Sequence, residues 1–212
     1  YTERKFDRSR TGPAGSCPMS RRTIHKRAHA GEVRELLQAI FVAEILCPSS
    51  SLWIFSPWIS NIPVIDNRAG RFLHLEPSWP LTEVRLAEVL ATLVRKGTHV
   101  YIATRDVNDT YLQQERSAAA QYTDQFIQSL KARLDVNEQN RLKIKFCNTL
   151  HQKGLLGDTF LIQGSMNFTF SGITMNDEMV ALVTDPAEIG QARLAFERYW
   201  KDLASSYAQQ VG

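Results

Sequence analysis

A helical pattern that ends at a glycine and leads directly into a β-rich strand most constrains how this chain can fold. Between residues 86 and 94 the apolar side chains repeat at helical spacing, and Lys96-Gly97 follows where a helix would end. The next stretch, Thr98 to Thr104, has the composition of a strand. Because a helix that links two strands usually joins parallel neighbours, this unit predicts a parallel sheet. Proline is favoured in the first turn of a helix, so we expect the helix to begin at Pro80.

Similar helix and strand patterns continue along the rest of the chain. Helices are predicted at 31–46, around Tyr122, Phe126, Leu130 and Leu134, and from Pro186, with strands at Leu52–Phe55, Leu142–Phe146, Thr159–Gln163 and Met179–Val183. Residues 60–80 contain three prolines and a glycine and read as a long connection. Trp53 and Trp58 fit packing better than stacking on a ligand. The predicted fold class is α/β, a mixed sheet with helices on both faces and a site at the sheet's edge.

Charge is unevenly distributed along the 212 residues. The net charge is +3, but residues 1–28 hold eight Lys and Arg against two acidic residues, or +6, which leaves −3 for the remainder. We therefore expect two regions, a basic N-terminal arm at 1–30 and a globular domain at 31–212. The arm could neutralise phosphates of a nucleic acid, or it could be a solvated tail or pack on the body or a partner subunit.

Cysteine content and hydropathy indicate the cellular compartment of the protein. Three cysteines cannot all pair, which favours a reducing compartment. We find neither a signal peptide nor a membrane-spanning run, so we expect a cytoplasmic protein that does not bind membranes. Cys17, His25 and His29 lie too far apart to predict a metal site, and we expect no metal and no other cofactor.

The residues from 151 to 178 carry chemistry suited to a phosphoryl group. In an extended segment His151 and Lys153 point the same way, so an imidazole nucleophile or proton carrier lies beside a cation. Ser165 and Asn167 follow a predicted strand and offer neutral donors to the same anion. Glu178 could accept the ring N–H of the histidine and select its tautomer.

This pattern resembles the His-x-Lys motif of the phospholipase D superfamily, in its single-motif, nuclease-like branch. The matching positions are His151, Lys153, Asp158, Gly164, Ser165, Asn167, Asn176 and Glu178. One spacing departs from the family, because five residues rather than six separate Asp158 from Gly164. The resemblance implies a catalytic set of His151, Lys153, Ser165, Asn167 and Glu178, with Asp158 and Asn176 in supporting roles.

The single motif has a consequence for assembly. In-line displacement at phosphorus needs a nucleophile on one side and an acid on the other, and one imidazole cannot serve both. Larger members of the family carry two motifs. We therefore expect a homodimer in which two copies of His151 share one active site.

The resemblance implies a metal-independent phosphodiesterase that forms a phosphohistidine, most simply an endonuclease for DNA, with RNA left open. The alternatives are a phospholipid phosphodiesterase of the same superfamily and a non-catalytic nucleic-acid-binding subunit. Arg68, Arg71 and Arg105 are candidate substrate contacts, although exposed basic side chains are equally well explained as solvated. Residues 46–72 also resemble the phospholipase D-like proteins of bacterial deazapurine DNA-modification systems. That likeness implies a role in restriction, with partner proteins of a defence system.

Overall fold

The computed structural model describes the backbone of residues 21–25, 31–106, 118–175 and 177–210, with side chains to residue 203. This part of the chain forms nine strands and five α-helices. The strands are β1 (Arg21–His25), β2 (Ser51–Phe55), β3 (Pro63–Asp66), β4 (Glu83–Arg85), β5 (His99–Thr104), β6 (Leu142–Phe146), β7 (Gly154–Leu156), β8 (Leu161–Gly164) and β9 (Met179–Val183). The helices are α1 (Glu32–Leu46), α2 (Leu86–Arg95), α3 (Ala118–Lys131), α4 (Phe170–Thr174) and α5 (Pro186–Gln210).

Seven of these strands form one mixed sheet in the order β1-β9-β8-β7-β2-β5-β6. The pairs β2–β5 and β5–β6 are parallel, whereas the four pairs from β2 through β7, β8 and β9 to β1 are antiparallel. The parallel half thus comes from the helix-linked segments that the sequence predicted. The antiparallel half comes from short connections around the motif.

Helices cover both faces of the sheet, as predicted. On one face α1, α2 and α3 bury the larger apolar cluster, which includes Phe41, Leu90 and Phe126. On the other face α5 packs through Ile189 and Phe196, and the cluster there is rich in stacked and edge-on aromatic rings. Alternation of side chains along β2 explains the two cores, since successive residues point to opposite faces.

Two predictions around residue 80 were wrong. Residues 63–66, predicted to lie in the long connection 60–80, pair as β3 with β4, and residues 83–85 form that strand β4 where a helix from Pro80 was predicted. Helix α2 begins at Leu86. The buried Asn67 holds the connection: its Nδ2 donates to the Pro80 carbonyl at 2.9 Å, and its Oδ1 accepts from Phe72 N at 2.9 Å. A proline that looked like a helix start therefore serves as a loop anchor.

The remaining element boundaries lie close to expectation. Helices α1 and α3 and strands β2, β5, β6 and β9 confirm the predicted segments, and Gly97 adopts φ 104 after α2. The strand predicted at Thr159–Gln163 is β8 and starts two residues later, because Gly157 N donates to the Phe160 carbonyl at 3.0 Å in a turn. Asp185 caps α5, accepting from two backbone amides. Strand β1 lies inside the segment predicted as the arm; residues 1–20 and 26–30 lie outside the described residues.

Candidate active site

The antiparallel half of the sheet brings three motif segments to one edge. Gly154, the first residue of β7, lies between Phe55 at the end of β2 and Gln163 near the end of β8. Gly164, the last residue of β8, pairs with Val180 near the start of β9. The segments before β7, after β8 and before β9 therefore meet beside the carboxyl ends of β2 and β5. Residues distant in sequence converge because adjacent antiparallel strands reverse direction at each turn.

A cavity of about 580 Å³ at this edge is lined by three of the predicted catalytic residues. His151, Lys153 and Ser165 all line it, and the side chain of His151 is exposed. The remaining lining residues are Arg21, Gln152, Gln163, Gly164, Met179, Ala181 and Phe196. An exposed imidazole, an ammonium and a hydroxyl in one open cavity can contact the same anion.

The carboxylate of Glu178 belongs to this cluster through a hydrogen bond that the Ser165 hydroxyl donates to it. The Ser165 oxygen in turn accepts from Met179 N at 3.1 Å, and Ser165 N donates to the Met179 carbonyl at 3.1 Å. A Cβ at Gly164 would overlap that same carbonyl oxygen, so the glycine allows β8 to approach β9. The contact of Glu178 with Ser165 was not anticipated, and its role in orienting His151 stays a prediction.

The Lys153 ammonium lies in a mixed electrostatic environment. Burial lowers its pKa from the usual value, the nearby Glu178 carboxylate raises it, and the Arg105 guanidinium lowers it further. Lys153 Nζ donates to the His151 carbonyl at 3.0 Å, which holds the amine beside the histidine. Arg105, a predicted substrate contact, donates from Nε to the Leu150 carbonyl at 3.0 Å. It therefore stands beside the segment that carries His151.

Asn167 does not line the cavity of His151 and Lys153 but lines a second, larger cavity. Its Oδ1 is 3.4 Å from the hydroxyl of Ser56, a buried residue that the motif reasoning missed. The Ser56 hydroxyl also lies 2.7 Å from the Trp58 carbonyl, to which it donates, and accepts from Phe168 N at 3.2 Å. Ser56 thus joins the exit of β2 to the segment after β8. Its signal in the sequence was a serine directly after a buried strand.

Two other predicted substrate contacts lie elsewhere. Arg68 and Arg71 are exposed on the connection between β3 and β4, and neither lines the two cavities. Arg68 forms an ion pair with Asp66, which holds the pKa of that carboxyl well below its usual range. The structure therefore brings Arg105, but not Arg68 or Arg71, beside the histidine segment.

Asp158 lies at the opposite end of β7 from the cavity. Its carboxylate accepts from Ser50 N at 2.7 Å and from the Ser50 hydroxyl at 3.2 Å, and it pairs with Arg193 of α5 at 2.8 Å. These contacts tie the β7–β8 turn to the loop before β2 and to α5. The supporting role of Asp158 stays a prediction.

Asn176 lies outside the described residues. Within the described ranges, no three or more His, Cys, Asp or Glu side chains cluster as metal ligands would. Nor does any helix in the described part of the chain have the length and apolar character needed to span a membrane.

Comparison with protein families gives one match, to the family described as cardiolipin synthase, PLD-like domain, over residues 71–200. That span is more than half of the chain and includes His151, Lys153, Ser165, Asn167 and Glu178. The chain belongs to this PLD-like family. The resemblance seen in the motif is thereby confirmed at the level of the phospholipase D superfamily. No curated protein sequence matches the PLD-like chain at a significant level.

Solved structures show the same PLD-like fold. Nuc from Salmonella typhimurium, a phospholipase D family member, is 13% identical with a TM-score of 0.52, over 86% of this chain and 94% of that one. The phosphatidylserine synthase of Haemophilus influenzae Rd KW20 is 18% identical with a TM-score of 0.57, over 85% of this chain and 38% of the synthase. At these identities the likeness concerns the fold alone.

Proposed function

We propose that this PLD-like chain is a metal-independent phosphodiesterase that cleaves DNA through a phosphohistidine intermediate. The proposal rests on one observation, that His151, Lys153 and Ser165 line the same open cavity. An exposed imidazole can reach a phosphorus atom, while an ammonium and a hydroxyl beside it can bind the non-bridging oxygens.

The reaction needs two imidazoles. His151 of one protomer attacks phosphorus, forming a P–N bond as the P–O bond to the leaving group breaks. The partner's His151 protonates the departing alkoxide and then takes a proton from water. That water attacks phosphorus and breaks the P–N bond, which regenerates both rings. Since one ring cannot lie on both sides of the phosphorus, the site is complete only in a homodimer.

Exposed apolar side chains support a partner surface at this edge. Met175 and Met179 are 74% and 48% exposed, and Met179 lines the cavity itself. Large apolar groups on a surface are typical of a contact that is buried in an assembly. A two-fold contact through this rim would bring the two copies of His151 together.

DNA is the preferred substrate because of the charge carried by residues 1–28, which at +6 could neutralise several phosphates. The likeness of residues 46–72 to phospholipase D-like proteins of deazapurine DNA-modification systems supports a setting in bacterial restriction. Partner proteins of such a system would then act with this chain.

A phospholipid diester is the second candidate. The matching family is described as cardiolipin synthase, PLD-like domain, and exposed apolar side chains such as Phe170, Met175 and Met179 could meet a lipid surface. Both substrates present a phosphodiester to the same cavity, so direct assay must separate them.

The test is a cleavage panel in EDTA with plasmid, single-stranded DNA, RNA and phosphatidylcholine vesicles. We expect cleavage of DNA that EDTA does not reduce, and an acid-labile phosphoryl group on the protein after rapid quenching. His151→Ala and Lys153→Ala should each abolish turnover. A role in proton transfer alone accounts for about 10²–10⁴ in rate, and loss of the nucleophile removes more.

Matched controls separate chemistry from general damage. His99 is exposed at the opposite edge of the sheet, where it pairs with Ser51, and Lys143 is exposed on β6. His99→Ala and Lys143→Ala should retain full activity. Near wild-type cleavage by His151→Ala would refute the proposal, and so would a strictly monomeric active enzyme in sedimentation analysis. Cleavage of vesicles but not of nucleic acid would favour the second candidate, and binding of DNA without cleavage would indicate a binding subunit.

A further inference from the structure

The larger cavity beside the candidate active site has a volume of about 800 Å³ and lies between the segment after β2, one side of α3 and the start of α4. Its volume falls in the range of small-molecule sites. Its lining consists of Trp58, Ser60, Asn61, Ile62, Pro63, Arg85, Ala118, Ala119, Tyr122, Gln125, Ser129, Asn167, Thr169, Phe170 and Ser171. Apart from Asn167, none of these residues was predicted to take part in function.

Aromatic rings are the first unusual feature of this lining. Tyr122 occupies a position that the helical pattern predicts to be buried, yet its side chain is 53% exposed at the cavity. Phe170 is 57% exposed on the same lining, and Trp58 is half-buried. Two exposed rings on one cavity are suited to stacking against a flat ligand.

Polar groups on the lining complement the rings. The Gln125 amide is exposed and makes no hydrogen bond to any part of the chain that the structure describes. Asn61, in contrast, is held in place, because its Oδ1 accepts from Ala87 N at 3.0 Å. Among the described lining residues, Arg85 carries a charge and donates to the Asn61 carbonyl at 2.8 Å. A ligand with both donors and acceptors on its edge fits this environment.

Asn167 connects this cavity to the phosphoryl site. It lines the large cavity, whereas Ser165, two positions earlier, lines the small one. Two residues span at most about 7 Å of chain. A group attached through one sugar to the scissile phosphate would therefore reach the large cavity while the phosphate stays at the small one.

We infer that the large cavity binds one unpaired nucleobase next to the scissile phosphate, so that the enzyme acts on single-stranded nucleic acid or on a nucleotide turned out of a duplex. The inference rests on the proposed phosphodiesterase function and specifies its substrate. A base inside a duplex is stacked on both faces and cannot enter such a cavity. An acyl chain would have to cover polar groups on this lining, among them the Gln125 and Asn167 amides and the Arg85 guanidinium, at a cost in lost hydrogen bonds.

Binding to single strands with and without bases tests this directly. The probe is a short fluorescent single-stranded DNA of mixed sequence, compared with the same backbone made fully abasic, on His151→Ala protein in EDTA. We expect the base-bearing strand to bind at least about 5-fold more tightly, since stacking contributes roughly 1–3 kcal/mol per base. Adding Tyr122→Ala or Phe170→Ala should each remove most of this preference. Leu194, 65% exposed on α5, is the control, and Leu194→Ala should preserve it.

A second matched pair tests the polar contact. Gln125 and Gln128 are both exposed on α3, but only Gln125 lines the cavity. Gln125→Ala should weaken binding of the base-bearing strand and not of the abasic strand, whereas Gln128→Ala should change neither. Equal affinity for the two strands overturns the inference, as does tighter binding of phosphatidylcholine vesicles that depends on Tyr122 and Phe170.

The two proposals fail in distinguishable ways. Hydrolysis of bis(p-nitrophenyl) phosphate, a small diester without a base, reports the phosphodiesterase function alone. If the wild-type protein hydrolyses it but base-bearing and abasic strands bind equally, only the base cavity is refuted. If the base preference holds but no diester is cleaved, the cavity is supported and the catalytic proposal fails.

Discussion

Replacing Asp158 tests whether this motif residue supports the fold or takes part in the chemistry. In Asp158→Ala the carboxylate loses two hydrogen bonds from Ser50 and an ion pair with Arg193. Each hydrogen bond contributes about 0.5–1.5 kcal/mol and a partly exposed ion pair about 0–1 kcal/mol. The side chains of Asp158 and Arg193 are 38% and 25% exposed, which favours the lower values. We expect a loss of about 2 kcal/mol, or roughly 4–8 °C in melting temperature for a chain of this size.

Activity should respond differently, because Asp158 lies at the far end of β7 from the cavity. Below its melting transition, Asp158→Ala should keep kcat/KM within about twofold of wild type. A double-mutant cycle with Arg193→Ala should give a coupling energy below about 1 kcal/mol, since water screens the pair. Asp124, exposed on α3, is the matched control, and Asp124→Ala should change neither property. A hundredfold loss of kcat with an unchanged melting temperature would refute the supporting role.

Three further predictions concern charge and close packing. The Glu178 carboxylate raises the pKa of Lys153 and the Arg105 guanidinium lowers it. If Lys153 must stay protonated, the alkaline limb of the pH–rate profile should therefore move to lower pH in Glu178→Gln and to higher pH in Arg105→Gln. An alkaline limb that neither variant moves contradicts this. Burial raises the pKa of Glu44, so the stability that its protonated form contributes is present below the pKa of the unfolded state and is lost as pH rises through the pKa of the folded state. In urea titrations from pH 4 to pH 7, Glu44→Gln should therefore gain stability relative to wild type. A difference in unfolding free energy that does not change with pH would argue against this. Gly164→Ala would place a Cβ against the Met179 carbonyl, so we expect about 1–3 kcal/mol of destabilisation and a loss of activity of at least about tenfold. Calorimetry measures the first and initial rates the second. A variant with unchanged stability and activity would show that β8 and β9 can move apart at no cost.

The candidate site was predictable where its residues are neighbours in sequence. His151 and Lys153, two apart, and Ser165 after a strand were predicted to act together, and they line one cavity. The hydrogen bond from Ser165 to Glu178 was not predicted, because it depends on how closely β8 approaches β9. The hydrogen bonds of Ser56 to Asn167 and Phe168 likewise join residues more than a hundred positions apart in sequence.

By itself the sequence determined four of the five described α-helices and five of the nine described strands, since the spacing of apolar side chains reports which face of a local segment is buried. It also determined the superfamily, because the motif keeps its residue types at nearly constant spacing. Only the tertiary structure decided that residues 63–66 and 83–85 pair, that β1 joins β9, and that Tyr122 opens into a cavity with Phe170. These features arise where segments distant in sequence meet, and no local pattern records which segments those will be.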